Sequence, residues 1–196
     1  MNAAPGTRRL FVAVPVPDEV RERLAGAQAG LDCAVPAARI RWTVPAQLHL
    51  TVQFLGAAAA AEVPRLGDAL ARAVAGFGPL HLAAQSVGFF PHPRHPRVVW
   101  AGVEGEKERC RALHKLVAAA CAPFAPGAAD EPFQAHITLG RPRDLDRAAV
   151  DALFTAAVGF SGVSFGEWTA AAVELRASEL TPGGARHDTV TVAPLV

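Results

Sequence analysis

Apolar and polar positions change period several times along the chain, and each change marks an element. Leu10-Phe11-Val12-Ala13-Val14 is an unbroken apolar run stopped by Pro15 and Pro17, which predicts a strand. Val20, Leu24, Ala27 and Leu31 then recur at helical spacing, with Asp18 placed to cap that helix and Gly30 to end it. Residues 39–43 read as a short extended link. From 48 to 55 the period drops to two. Leu48, Leu50, Val52 and Phe54 share one face, His49, Thr51 and Gln53 the other, and Gly56 ends the strand.

A helix over 62–76 is broken by Gly78-Pro79, and the apolar stretch 80–90 reads as a strand. Pro91, Pro93 and Pro96 make 91–96 a loop, since each proline removes a backbone donor. A strand over 97–103 leads to an amphipathic helix over 106–121, with Cys110, Leu113, Val117 and Ala120 on its apolar stripe. A Pro-, Ala- and Gly-rich loop covers 123–132. Alternation returns at 133–139, where Gln134, His136 and Thr138 oppose Ala135, Ile137 and Leu139. A helix over 145–157 and strands over 163–165, 170–178 and 188–192 complete the reading, with Thr181-Pro182-Gly183-Gly184 as the last turn. Helices mixed with hairpin-connected strands predict an α+β fold with mostly antiparallel sheets.

Composition narrows the class. The 196 residues are 51% hydrophobic and 19% charged, which excludes a disordered chain and supplies a large core. A net charge of +1 excludes a protein that coats nucleic acid by charge alone. Apart from Lys107 and Lys115 the basic residues are all Arg, the better bidentate partner for phosphate. Three cysteines, with no C-x-x-C, support neither a disulfide framework nor a Cys-based zinc site. No apolar run reaches the roughly 18 residues of a membrane helix, and residues 1–9 lack a signal-peptide pattern. The expectation is a cytoplasmic monomer without membrane contact, folded as a single bilobal domain over 1–196.

One short pattern carries chemistry. His-x-Thr occurs at His49-Leu50-Thr51 and again at His136-Ile137-Thr138, one copy in each half of the chain and each on a predicted strand. Residues i and i+2 of a strand share a face, so each imidazole stands beside a hydroxyl. Two such strands facing one groove would hold a tetrahedral phosphate by four groups. Two imidazoles with ordinary pKa values near 6.5 also suit paired acid–base work. Burying His and Thr unpartnered in a core would be costly, so a groove is their better home. This chemistry needs no metal and no cofactor. His92 and His95 lie three apart, but no carboxylate or Cys nearby completes a metal set. His81 and His114 read as structural.

With these residues in view, the chain resembles the 2H phosphoesterases, and among them the RNA 2′,3′-cyclic phosphodiesterases, also called 2′-5′ RNA ligases. The likeness runs over most of the chain: residues 9–13, Arg41-Trp42 with 48–56, the segment 88–100, and 133–141. It implies two pseudo-symmetric α+β lobes, each an antiparallel sheet with helices outside, facing across a central cleft. It implies metal-independent opening of RNA 2′,3′-cyclic phosphate ends to 2′-phosphates, with ATP-independent 2′-5′ joining as a related reaction. Neither a Walker-type loop nor G-x-G-x-x-G is present.

The resemblance further implies His136 as general base and His49 as general acid, the reverse order being chemically equivalent. Thr51, Thr138 and Arg141 would hold the phosphate. Phe11 and Trp42 would carry the base or ribose, with core packing the alternative for either, above all for Phe11. Arg39, Arg41, Arg94 and Arg97 could follow the RNA strand. Two departures stand out: Gln134-Ala135 where the family carries a basic residue and Pro, and His187 near the last hairpin in a chain without tyrosine. The competing readings are a cyclic phosphodiesterase of small nucleotides, a non-catalytic RNA-end binder, and a metal-dependent hydrolase.

Overall fold

The apolar and alternating segments pair as antiparallel neighbours into one continuous sheet of nine strands among the described residues, with two halves where the sequence predicts a sheet in each lobe. The computed structural model describes residues 6–35, 40–125, 132–181 and 184–196. Arg39, much of the predicted 123–132 loop, and Pro182-Gly183 of the last turn lie outside the described residues. One half holds β1 (Thr7–Pro15), β3 (His49–Ala59), β8 (Ala172–Thr181) and β9 (Gly184–Pro194), in the order β3-β1-β8-β9. The other holds β2 (Ile40–Trp42), β4 (Leu80–His92), β5 (His95–Gly105), β6 (His136–Pro142) and β7 (Ser164–Ala170), in the order β7-β4-β5-β6 with β2 also on β6. The halves join where Leu50 of β3 pairs with Ile137 of β6.

Helices cover the outer faces. α2 (Val63–Val74) and α3 (Lys107–Cys121) pack on β9 and β3, while α1 (Asp18–Ala34) and α4 (Arg147–Val158) pack on β7 and β4. Thus α1 follows a strand of the first half and covers the second, and α3 does the converse. Leu24 and Leu31 of α1, Leu66 and Leu70 of α2 and Leu113 of α3 are fully buried. Each contributes about 1.5–3 kcal/mol by leaving water. The two halves share one hydrophobic core.

Four local expectations change. Asp18 does not cap α1: Pro17 holds the cap position, and the Asp18 carboxylate pairs with Arg21 one turn on. Gly30 lies inside α1, where its missing side chain leaves room for the Phe160 ring, which a Cβ would meet at 3.3 Å. Gly56 does not end β3. At φ +73° it carries the strand on to Ala59. The Pro91–Pro96 segment is the tip of the β4–β5 hairpin, with Pro91 opposite Pro96 and His92 opposite His95. Prolines are tolerated there because β7 and β6 pair only with the body of the hairpin, so no third strand needs their donors.

Candidate active site

Strand register decides which side chains meet. Leu50 and Ile137 are antiparallel partners, so His49 stands across from Thr138, and Thr51 across from His136. Leu50 and Ile137 point into the core. All four polar groups therefore occupy the opposite face, with His and Thr alternating around an approximate twofold axis. His49, Thr51 and Thr138 line a cavity of about 480 Å³, and His136 stands beside it on β6.

Both imidazoles are held in the same way. Nδ1 of His49 donates to the Gln47 carbonyl at 2.7 Å, and Nδ1 of His136 to the Gln134 carbonyl at 2.7 Å. A carbonyl only accepts, so Nδ1 carries the proton in each ring and Nε2 is left for chemistry. The His136 ring also meets Phe90 edge-on, with centroids 5.0 Å apart.

Each motif strand carries one extra residue at the same place. On β3, Thr51 and Gln53 face the consecutive residues Ala13 and Val12, leaving Val52 as a bulge. On β6, Thr138 and Gly140 face the consecutive residues Trp100 and Val99, leaving Leu139 as a bulge. A bulge reverses the alternation beyond it. The fifth residue after each histidine therefore returns to the cavity: Phe54 on β3 and Arg141 on β6. Gln53 is buried instead, and Phe54 is 58% exposed. The predicted grouping of Phe54 with Leu48, Leu50 and Val52 fails for this reason.

Arg41, Trp42, Phe11 and Arg141 are also at this cavity, whereas Arg94 and Arg97 line a separate groove. Trp42 lies over Gly140, where a Cβ would come within 2.7 Å of its ring. Its Nε1 donates to Asp32 Oδ1 at 2.8 Å. Arg9, Arg41 and Arg141 line the cavity with no carboxylate partner among the described residues. Phe11 lines it as well, but is only 3% exposed. Its ring packs at 4.9 Å from His49, 4.8 Å from His187 and 6.1 Å from Phe54. Phe11 is thus mainly a support, and the open aromatic surface belongs to Phe54.

The far end of the chain completes the wall. His187 of β9 lines the cavity, and Arg176 of β8 lies opposite Phe11, buried, with Nε donating to Glu174 at 2.6 Å. No local pattern marks Arg176, because only the β1–β8 pairing brings it here. His187 stands out in the sequence solely as a residue near the last hairpin. Phe54 has a usable signal: superposing the two His-x-Thr blocks aligns it with Arg141.

The surroundings disfavour positive charge on the rings. Burial pushes the His49 pKa down to about 4, helped by the charges of Arg176, His187 and His136 and opposed by the Gln47 carbonyl. His136 is lowered by burial and then by Arg141, against its bond to the Gln134 carbonyl. His187 is lowered by burial and then by Arg176. An anion in the cavity would act in the other direction on all three. Among the described residues no group of three or more His, Cys, Asp or Glu side chains converges, and His92 and His95 only face each other across the hairpin tip.

This geometry has relatives. Residues 14–100 match the family described as LigT like phosphoesterase. The chain is 36% identical over 185 residues to the RNA 2′,3′-cyclic phosphodiesterase of Thermus thermophilus, across 90% of this chain and 84% of that one. It is 32% identical over 176 residues to the protein of the same name from Archaeoglobus fulgidus, across 90% and 94%. The chain belongs to the LigT-like phosphoesterase family. A solved structure from Thermus thermophilus matches with a TM-score of 0.78 at 31% identity, over 95% of this chain and 97% of that one. Escherichia coli LigT, solved in complex with 3′-AMP, shares the fold at a TM-score of 0.75 and 23% identity, over 97% and 99%. In this LigT-like phosphoesterase the departure at Gln134-Ala135 leaves the histidine anchor intact, because the anchor is a backbone carbonyl.

Proposed function

We propose that this protein opens RNA 2′,3′-cyclic phosphate ends by two-histidine acid–base catalysis, leaving the phosphate on the 2′ oxygen. The names of its relatives support the activity. The observation that carries the mechanism is the crosswise register of the two His-x-Thr segments, each with an Nδ1-anchored imidazole.

Water attacks phosphorus while one Nε2 takes its proton. The bond from phosphorus to the 3′ oxygen breaks, and the other imidazole, protonated, gives its proton to that oxygen. The products are a 2′-phosphomonoester and a 3′ hydroxyl, and the pair of rings ends with its protons exchanged. The substrate anion, with Arg141 kept at its side, supplies the field that lets one ring hold a proton. Thr51, Thr138 and Arg141 receive the charge that grows on the non-bridging oxygens. Phe54 and Trp42 form the surface for the base, with Phe11 beneath. If the nucleophile is the 5′ hydroxyl of a second strand, the same steps join the two through a 2′-5′ bond. The strained ring supplies the driving force, so ATP is not needed.

A second reading keeps the chemistry and restricts the substrate to a small cyclic nucleotide, favoured by a cavity of about 480 Å³. The test is an oligonucleotide with a 2′,3′-cyclic end, incubated with EDTA beside a cyclic mononucleotide. The 2′-phosphate product is expected from wild type and lost in His49→Ala and His136→Ala. Turnover of the mononucleotide alone selects the second reading. Tight binding of both without turnover makes the protein an end binder.

A further inference from the structure

Resting on the RNA reading, we propose a second site for the phosphodiester backbone upstream of the reacting end, in the groove between the β4–β5 hairpin tip and the start of α4. That groove has a volume of about 810 Å³ and is walled by Arg94 and Arg97 on one side and Arg147 on the other. It lies on the other face of β6 from the catalytic cavity, since neighbouring strand residues point to opposite sides and Arg141 lines one while Pro142 lines the other, so the backbone would reach it around the end of β6. Val99 pairs with Gly140, which carries Arg97 alongside Pro142. Arg41, opposite Arg141 on β2, lines the catalytic cavity with it.

Charge gives the groove its ligand class. Arg21, Arg65, Arg109 and Arg111 each bind a carboxylate three residues away, while Arg8, Arg23, Arg72 and Arg143 have no ion pair among the described residues. Arg94 and Arg97 are exposed, with no carboxylate partner among the described residues. Arg147 reaches Asp151 only at 3.9 Å. Asp144 and Asp151 face the same groove, so its pull on anions comes chiefly from the hairpin side. Two unpaired guanidinium groups on one wall of the groove suit backbone phosphates. Among the described residues the groove's one aromatic ring is the exposed imidazole of His95, with no Phe, Trp or Tyr beside it. It would hold backbone and ignore sequence.

The test compares a cyclic mononucleotide with a short oligonucleotide bearing the same cyclic end, across a salt series. For wild type, kcat/KM for the oligonucleotide should exceed that for the mononucleotide, and the excess should shrink as salt rises. In Arg94→Glu/Arg97→Glu the ratio should fall at least tenfold and the salt slope should lessen by about 1–2, with Arg94→Ala/Arg97→Ala intermediate. An oligonucleotide with abasic upstream positions should keep the wild-type excess. A ratio unmoved by the double reversal overturns the site. If wild type turns over neither substrate, the hydrolysis reading fails instead. Anisotropy of a labelled 2′-phosphate-ended oligonucleotide then decides the site, which stands only if the reversal weakens binding at least tenfold.

Discussion

His187 stands edge-on to His49, their ring centroids 5.3 Å apart, and Phe11 touches both. The second imidazole helps to keep the first one neutral, together with burial and Arg176. His187→Phe keeps a ring against Phe11 but removes a titratable neighbour. The His49 pKa, followed by NMR titration, should rise. Activity should fall about tenfold or less, against a loss of about 10²–10⁴ for His49→Ala. An unmoved His49 titration rejects this coupling.

Proton linkage follows from the same burial. The His49 pKa is about 4 in the folded chain and 6.5 as its reference value. Between those values the unfolded chain binds the extra proton, so stability falls as pH falls through the window and is fully present above it. The loss from this group is about 3 kcal/mol at most, and His136 and His187 act in the same direction. Urea midpoints should drop from pH 7 to pH 4, less steeply in His49→Phe. Parallel curves reject the assignment.

Phe54 is the exposed aromatic of the cavity, and its ring borders Phe11 without being enclosed. Phe54→Ala should raise KM for a cyclic nucleotide by the equivalent of about 1–3 kcal/mol, with a smaller effect on kcat. Phe54→Trp should retain activity. The melting temperature should hold, since little buried surface is lost. A fall in kcat with KM unchanged places Phe54 elsewhere in the reaction.

Opposite proton roles for the two rings make a sharper prediction. A substrate with sulfur at the 3′ bridging position leaves without needing a proton. It should restore turnover by at least tenfold in one of His49→Ala and His136→Ala, and not in the other. Rescue of both or of neither rejects a division into acid and base.

The motif strands are legible in the sequence because half-buried strands alternate, and the polar faces of β3 and β6 show at once which residues share a groove. That alternation is also the source of the main error. A single bulged residue leaves no mark in a hydrophobic pattern, so Val52 reads as one more inward position and Phe54 follows it into the core. Arg141 escapes the same mistake because the family resemblance, and not periodicity, points to it. Gly30 misleads for a related reason: the group that calls for a small residue there, the Phe160 ring, lies 130 residues away in the chain. His187 and Arg176 depend on strand order, which pairing over long separations decides and no local window contains.

The order of strands also bears on how the molecule is made. β1 is synthesised early, yet one of its edges stays open until β8 arrives, and β9 closes the wall last. A chain halted after Ala170 would own both His-x-Thr segments and helices α1 to α4, yet lack Arg176, Ser178 and His187. Such a fragment would present a bare strand edge, the feature most prone to unwanted association. A prematurely released product of this topology would therefore lack one wall of the cavity and carry an adhesive edge.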